Sequence, residues 1–225
     1  MRARDNSAPH PCHAHEWLLG RKLAPAGGSA TVDLRRRALL LAGGAGAVTL
    51  LFERWAIAEA PSAPVGVQAQ ITARILPFER GFQGRAQGGV SVVIAEKRGN
   101  ADSLAAALQM KKALSDIGNI SGKPLKIQNT SFDSAKDFVA VCKARGSIVA
   151  YLTPGLGSEI SQVASGLVGA PILTVAAVED FVPSGAVLGV KVISGKPRMS
   201  INLGQAKAQN LNFPSAVLNL AKIYR

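Results

Sequence analysis

Residues 67–225 predict an α/β fold: one domain with a mainly parallel sheet, helices on both faces and a C-terminal antiparallel hairpin at one sheet edge. Three observations predict it. The runs at 90–95, 147–152 and 171–175 have strand length and are almost wholly apolar, as strands covered on both faces are. Segments with helical spacing of apolar residues separate them, and strand–helix alternation builds parallel sheets through crossover connections. Near the end of the chain, the runs 186–193 and 198–203 flank the polar turn Ser194-Gly195-Lys196-Pro197, which predicts the hairpin.

Along the chain, residues 59–66 read as a mobile linker, because Pro and small residues there offer little to pack. Val67, Ile71, Ile75 and Phe78 recur four, four and three residues apart and predict one face of an amphipathic helix, which Pro77 ends or bends. A glycine-rich turn region at 81–89 leads into the first strand, 90–95. Residues 100–117 read as a helix with Ala101, Leu104, Leu108 and Leu114 inward and Gly118 as its stop. A short second strand is expected at 124–127. The helix expected at 133–144 carries the stripe Ala135, Phe138, Val139 and Cys142, with Ser134 or Asp133 as its cap.

The third strand, 147–152, precedes a helix at 159–167; the fourth, 171–175, precedes a helical turn near 178–181. After the hairpin, 204–209 and 215–223 read as helical. Val217, Leu218, Leu220, Ala221 and Tyr224 supply the packing face of the last helix. No internal repeat is present.

Residues 1–58 read as an N-terminal extension and export signal. Arg35, Arg36 and Arg37 precede an uncharged, mostly apolar run at 38–52, and Ala56-Ile57-Ala58 offers small residues for cleavage near Ala58. The run is shorter than the ~20 residues a spanning helix needs. Glu53 and Arg54 stand where a short membrane anchor, the other reading, would have to continue. Arg36-Arg37-Ala38-Leu39-Leu40 approximates the twin-arginine pattern. All three histidines lie in the tract Pro9-His10-Pro11-Cys12-His13-Ala14-His15, which has metal-ligand chemistry but precedes the signal. It reads as an over-long n-region or an early start codon, and no metal site or cofactor is expected in the working protein.

Residues 59–225 hold 18 basic and 10 acidic residues, a net charge of about +8. The basic residues are scattered, Lys111-Lys112 being the longest run, and no aromatics interleave with them. A solvated basic surface is the reading, and nucleic acid is not an expected partner. Cys142, the one cysteine of this region, reads as a buried, inert thiol; an intermolecular disulfide is the alternative.

With no histidine in 59–225, neither a Ser-His-Asp triad nor a Cys-His pair can be built. No HExxH or CxxC motif occurs there, and residues 84–89 lack phosphate-loop spacing. Asp133 and Asp137 read as a cap and a solvated charge, and Glu179-Asp180 as surface. The one candidate ligand site is the loop after the third strand, with Thr153, Gly155, Gly157 and Ser158, joined by Thr174 from the neighbouring strand. Parallel sheets bind ligands at such carboxyl ends, and free N–H groups there attract anions. An ordinary glycine-rich loop is the competing reading. Asn202 reads as a brace of the strand-to-helix junction.

Several stretches resemble the YfiR family. They are Gly185-Ala186-Val187-Leu188-Gly189, Met199-Ser200-Ile201-Asn202-Leu203, Ala206-Lys207, the 213–221 segment with Ser215, Leu218 and Leu220, and the opening helix 69–76. The resemblance covers about residues 67–225 and implies a small periplasmic α/β protein, a single Rossmann-like domain. It further implies a repressor that binds the periplasmic sensor domain of a membrane-bound diguanylate cyclase and so restrains cyclic di-GMP output. Two departures stand out: the paired cysteines of the regulatory members are reduced here to Cys142, and Pro214-Ser215-Ala216 replaces Ile-Ser-Ser. The expected function is therefore that of an exported, non-enzymatic regulator of a membrane signalling protein, and a homodimer is compatible with an edge hairpin. The alternative is a solute-binding component that hands a small anion to a transporter or receptor. A secreted enzyme is disfavoured by the missing histidine.

Overall fold

The computed structural model describes residues 59–225. The extension and signal, with Arg36, Arg37, Ala56 and Ala58, lie outside the described residues. Helix α1 (Val65–Ile75) runs into a 3-10 turn at Leu76–Phe78 and then α2 (Phe82–Arg85). Strand β1 (Val90–Lys97), helix α3 (Ala101–Ile117), the two-residue β2 (Asn119–Ile120), β3 (Lys123–Phe132), α4 (Ala135–Ala144) and β4 (Val149–Leu152) follow. A 3-10 turn at Gly157–Glu159 opens onto α5 (Ile160–Gly166), β5 (Leu173–Ala176) and a 3-10 turn at Glu179–Phe181. Strands β6 (Leu188–Ile193) and β7 (Lys196–Asn202), helices α6 (Leu203–Ala208) and α7 (Ser215–Leu218), and β8 (Ala221–Tyr224) complete the chain.

The eight strands form one sheet in the order β2-β3-β1-β4-β5-β6-β7-β8. Only the β2–β3 and β6–β7 pairs are antiparallel. Helix α1 packs on α3, and α4 packs on α5. Between these layers β4 and β5 are buried at every position, which is why their sequences carry no polar alternation.

Local chemistry sets several boundaries where the residues predict them. Asn100 caps α3, its side chain accepting the Ser103 N–H at 2.8 Å, and Gly118, at φ +71°, ends it. Ser134 caps α4 in the same way, accepting the Asp137 N–H, and Ala135, Phe138, Val139 and Cys142 form its buried stripe. The hairpin turn needs two residues, Ser194 and Gly195, both at positive φ, and Lys196 and Pro197 already pair within β7.

Four features differ from the expectations. The inner face of α1 is Val65, Gln68, Ala69, Thr72 and Ile75; Ile71 is half-buried and Phe78 exposed. Two polar side chains occupy that face because each finds a buried partner. Helix α3 turns Ser103, Ala106, Ala107, Met110 and Leu114 inward, leaving Ala101, Leu104 and Leu108 exposed, since small residues let it lie close on the sheet. Strand β3 runs ten residues rather than four; its alternating half-exposure lets polar side chains continue the ladder beside β1. The last helix stops at Leu218, and residues 221–224 pair in parallel with β7, so β8 rather than the hairpin is the sheet edge.

Residues 59–64 are pinned down as a strap instead of hanging as a linker. The Ser62 N–H donates to the Ala177 carbonyl at 3.0 Å, and its carbonyl accepts the Val192 N–H at 3.3 Å. Fully buried Gln68 ties this strap to the core. Its Nε2 donates to the carbonyls of Ala63 (2.9 Å) and Ala177 (3.0 Å), and its Oε1 accepts the Tyr151 hydroxyl (3.0 Å). Burial pushes the Tyr151 phenol far above its ordinary range, so it stays a donor. A Gln68→Leu variant strands the Ala63 carbonyl and the Tyr151 hydroxyl, takes one of two donors from the Ala177 carbonyl, and should lose about 2–4 kcal/mol in urea unfolding at unchanged m-value. Tyr151→Phe should lose about 1–2 kcal/mol.

Candidate functional site

The loop after β4 sits at the carboxyl end of the sheet. Thr153 is buried there, its hydroxyl donating to the Ala95 carbonyl at 2.7 Å and lying 2.6 Å from the Ser103 hydroxyl. Thr174 is buried too, accepting the Val187 N–H at 2.9 Å. Both threonines therefore spend their oxygens holding elements together. Gly155 has φ +84°, and a Cβ there would fall 2.4 Å from Asn100 Nδ2, so the loop needs glycine. Its carbonyl accepts Lys97 Nζ at 2.6 Å, and its N–H donates to Glu59 Oε2 at 2.7 Å. Gly157 lies against the same carboxylate, and Ser158 is exposed beside Glu159.

A second region lies toward the β7–β8 edge of the sheet. A groove of about 460 Å³ opens between the α1 end, β7 and α7. Ile71, Ile75, Phe78, Met199, Val217 and Leu220 make its walls, and Arg74 and Arg198 stand on its rim. Phe78 is 58% and Leu220 70% exposed, which is unusual for such large apolar side chains. A neighbouring depression adds Lys191, Ile193 and Lys222, so the apolar surface is bordered by four cations. The apolar periodicity of 67–78 points at this groove rather than at the core. That is why its signal did not identify the buried face.

Beneath these cations Glu179 is buried, not on the surface, while Asp180 is exposed. Glu179 Oε2 accepts Lys191 Nζ at 2.9 Å; Oε1 accepts the Ser200 hydroxyl at 2.8 Å and the Tyr224 hydroxyl at 3.2 Å. Its own N–H donates to Ser62 Oγ at 2.7 Å. Burial alone would raise this carboxyl. The hydrogen bonds from Lys191 and Ser200, the Lys191 charge and the Tyr224 hydroxyl outweigh burial and hold it below the usual carboxylate range. One side chain thus joins β6, β7 and β8. The sequence carries no signal for it, because its partners come from three separate strands.

The remaining motif residues are structural in position. Asn202 accepts the Gln205 N–H at 2.9 Å, capping α6, and donates to the Val182 carbonyl at 2.9 Å. Ile201 is buried, Leu203 opens α6, Ser215 opens α7 after Pro214, and Leu218 packs against the core. Asp133 faces Arg98 on the surface at 3.4 Å. Cys142 is buried, and burial pushes its thiol up to about 12, against small opposing effects of Ser147 and Arg145. Among the described residues no group of three His, Cys, Asp or Glu side chains is placed to hold a metal. No helix among them is long and apolar enough to cross a membrane.

Together these elements define a small α/β domain with a mainly parallel sheet. The chain belongs to the YfiR/HmsC-like family, whose model matches residues 66–222; that family is one of periplasmic, regulatory, non-catalytic proteins. No curated protein matches the chain. Among solved structures it is similar to the ABC domain in complex with L-Trp from Streptococcus pneumonia (TM-score 0.53, 11% identity, 72% of this chain and 62% of that one). It is also similar to a conserved domain protein from Vibrio cholerae (TM-score 0.51, 16% identity, 72% and 60%). A third likeness is to a substrate-binding protein with adhesive properties from Clostridium difficile (TM-score 0.51, 12% identity, 70% and 58%). The chain spans about three fifths of each of these structures, and the likeness shows the shared fold.

Two outcomes follow from the ionisable groups. Because the folded carboxyl of Glu179 lies below its ordinary 4.5, its stabilisation is present above that value and is lost as pH falls through the lower folded value. Glu179→Gln should cost about 2 kcal/mol at neutral pH, and the deficit should shrink as the medium is acidified below 4.5 in denaturant titrations. Cys142 should resist iodoacetamide in the native protein and react once the chain is unfolded, as mass spectrometry would show.

Proposed function

We propose that this protein is exported to the periplasm and acts, without catalysis, by binding and repressing a membrane signalling protein with a periplasmic sensor domain, of the diguanylate cyclase type. Membership of the YfiR/HmsC-like family supports the regulatory role. The observation that carries the docking reading is the exposed apolar groove with its cationic rim. Leu220 and Phe78 offer apolar anchors, and Arg74, Arg198, Lys191 and Lys222 favour a partner surface that is apolar at its centre and acidic at its margin. Repression then follows if this surface fits the inactive state of the sensor better than the active one.

The groove is also built for precision. Glu179 fixes Lys191 and Tyr224 from below, so the β6–β8 edge presents its charges in one arrangement. A preorganised surface loses less side-chain entropy on docking. The export signal read in residues 34–58 is the remaining support for location.

The test is capture of membrane proteins by the tagged protein from solubilised membranes of its own organism. Wild type should enrich a membrane protein with a periplasmic sensor domain and a cytoplasmic signalling output. Leu220→Asp and Arg198→Glu, both at exposed positions, should fold normally and reduce that enrichment at least ~10-fold, a cost of about 1.4 kcal/mol. Recovery of a transporter instead, or enrichment unchanged in both variants, would overturn the reading.

A further inference from the structure

The most unusual contact outside the groove is the one at Gly155. A backbone N–H at the carboxyl end of a parallel sheet points at a carboxylate, which is the arrangement expected of an anion seat. The carboxylate belongs to the chain's own Glu59. Lys97 supplies positive charge on the other side of the same residue, its Nζ 2.6 Å from the Gly155 carbonyl. The second carboxylate oxygen, Oε1, lies over Gly157, where an added Cβ would come within 2.9 Å of it and 3.5 Å of Phe181 Cε1. Gly157 thus clears the space that the carboxylate fills, while Gly155 supplies the positive-φ turn beside Asn100.

Glu59 is held differently from the rest of the strap. Ser62 is pinned through three hydrogen bonds and Ala63 by Gln68, whereas Glu59 reaches its seat across only Ala60 and Pro61. Among the described residues its side chain makes one hydrogen bond, to Gly155. A tethered group with a single contact is kept in place by its high effective concentration more than by intrinsic affinity. Such a group is exchangeable by a free ligand of the same chemistry.

We propose that Gly155, Gly157 and Lys97 form a carboxylate-binding site, and that Glu59 occupies it in cis as a latch that a small carboxylate ligand displaces. The inference does not depend on the docking surface, which lies toward the β7–β8 edge of the sheet, away from the loop after the central strand β4. The seat takes one carboxylate group and excludes bulk next to Gly157, so it selects small carboxylic acids over large or neutral solutes.

The amide resonance of Gly155 in nuclear magnetic resonance spectra of the full chain reads the seat directly. In wild type it should respond only weakly to sodium acetate. In Glu59→Ala it should move saturably with acetate, with half-saturation at least ~10-fold lower than in wild type, because the tethered competitor is gone. Acetamide and chloride should leave it unmoved. A Glu59→Ala resonance indifferent to acetate, or one that responds equally to chloride, would overturn the proposal. Glu59 is a partly exposed strap residue, and unchanged resonances for Gln68 and Tyr151 would show the variant to be folded.

Discussion

The buried amide of Gln68 is the contact on which the rest of the arrangement depends. It uses both of its N–H donors and its oxygen, and in doing so connects α1, the strap, the loop after β5 and the Tyr151 phenol on β4. A wholly apolar side chain there would pack the helix against the sheet without saying where the strap must lie. A satisfied polar network specifies one geometry, because every alternative leaves buried groups unpaired. The register of α1 follows from it. With Gln68 and Thr72 inward, Ile71 and Phe78 must turn toward solvent, and the apolar groove is the consequence.

A second buried group organises the opposite end. Glu179 would be costly to bury as an isolated charge, and three donors from β6, β7 and β8 offset that cost. Its backbone N–H, on Ser62, links this edge to the strap. Glu79 plays the same part behind α2. Its carboxylate pairs with Arg85 and accepts the Gly81 and Asn212 N–H groups, while Arg85 also reaches the Pro171 carbonyl. The short, irregular elements at the margins are thus held by charge and hydrogen bonding where there is too little apolar area to hold them.

These networks place the two surfaces that matter. The groove takes its walls from the helix face left over by Gln68 and from an edge strand anchored by Glu179. The Gly155 seat takes its N–H from a loop whose threonine neighbour is spent on Ala95 and Ser103. The proposed docking surface and the proposed carboxylate seat therefore both rest on what the core rejects: apolar residues that were not buried and amides that no strand paired.

By itself the sequence determined the α/β class, the parallel core strands, the stop at Gly118, the cap at Ser134, the buried stripe of α4 and the hairpin turn. Each of these is settled by residues within a few positions of one another, through pleat, helical period or a local hydrogen bond. It also carried the family in the order and spacing of Ile201-Asn202-Leu203 and the segment that follows. Only the tertiary structure decided which face of α1 and α3 is buried, that residues 221–224 close the sheet as a strand, and that Glu179 is interior. It alone showed the strap to be seated. Those outcomes depend on partners far away in the chain, Tyr151 for Gln68, β7 for β8, Lys191 and Tyr224 for Glu179, Gly155 for Glu59. A buried polar side chain is worth its desolvation only when such a partner arrives, and no local pattern announces one.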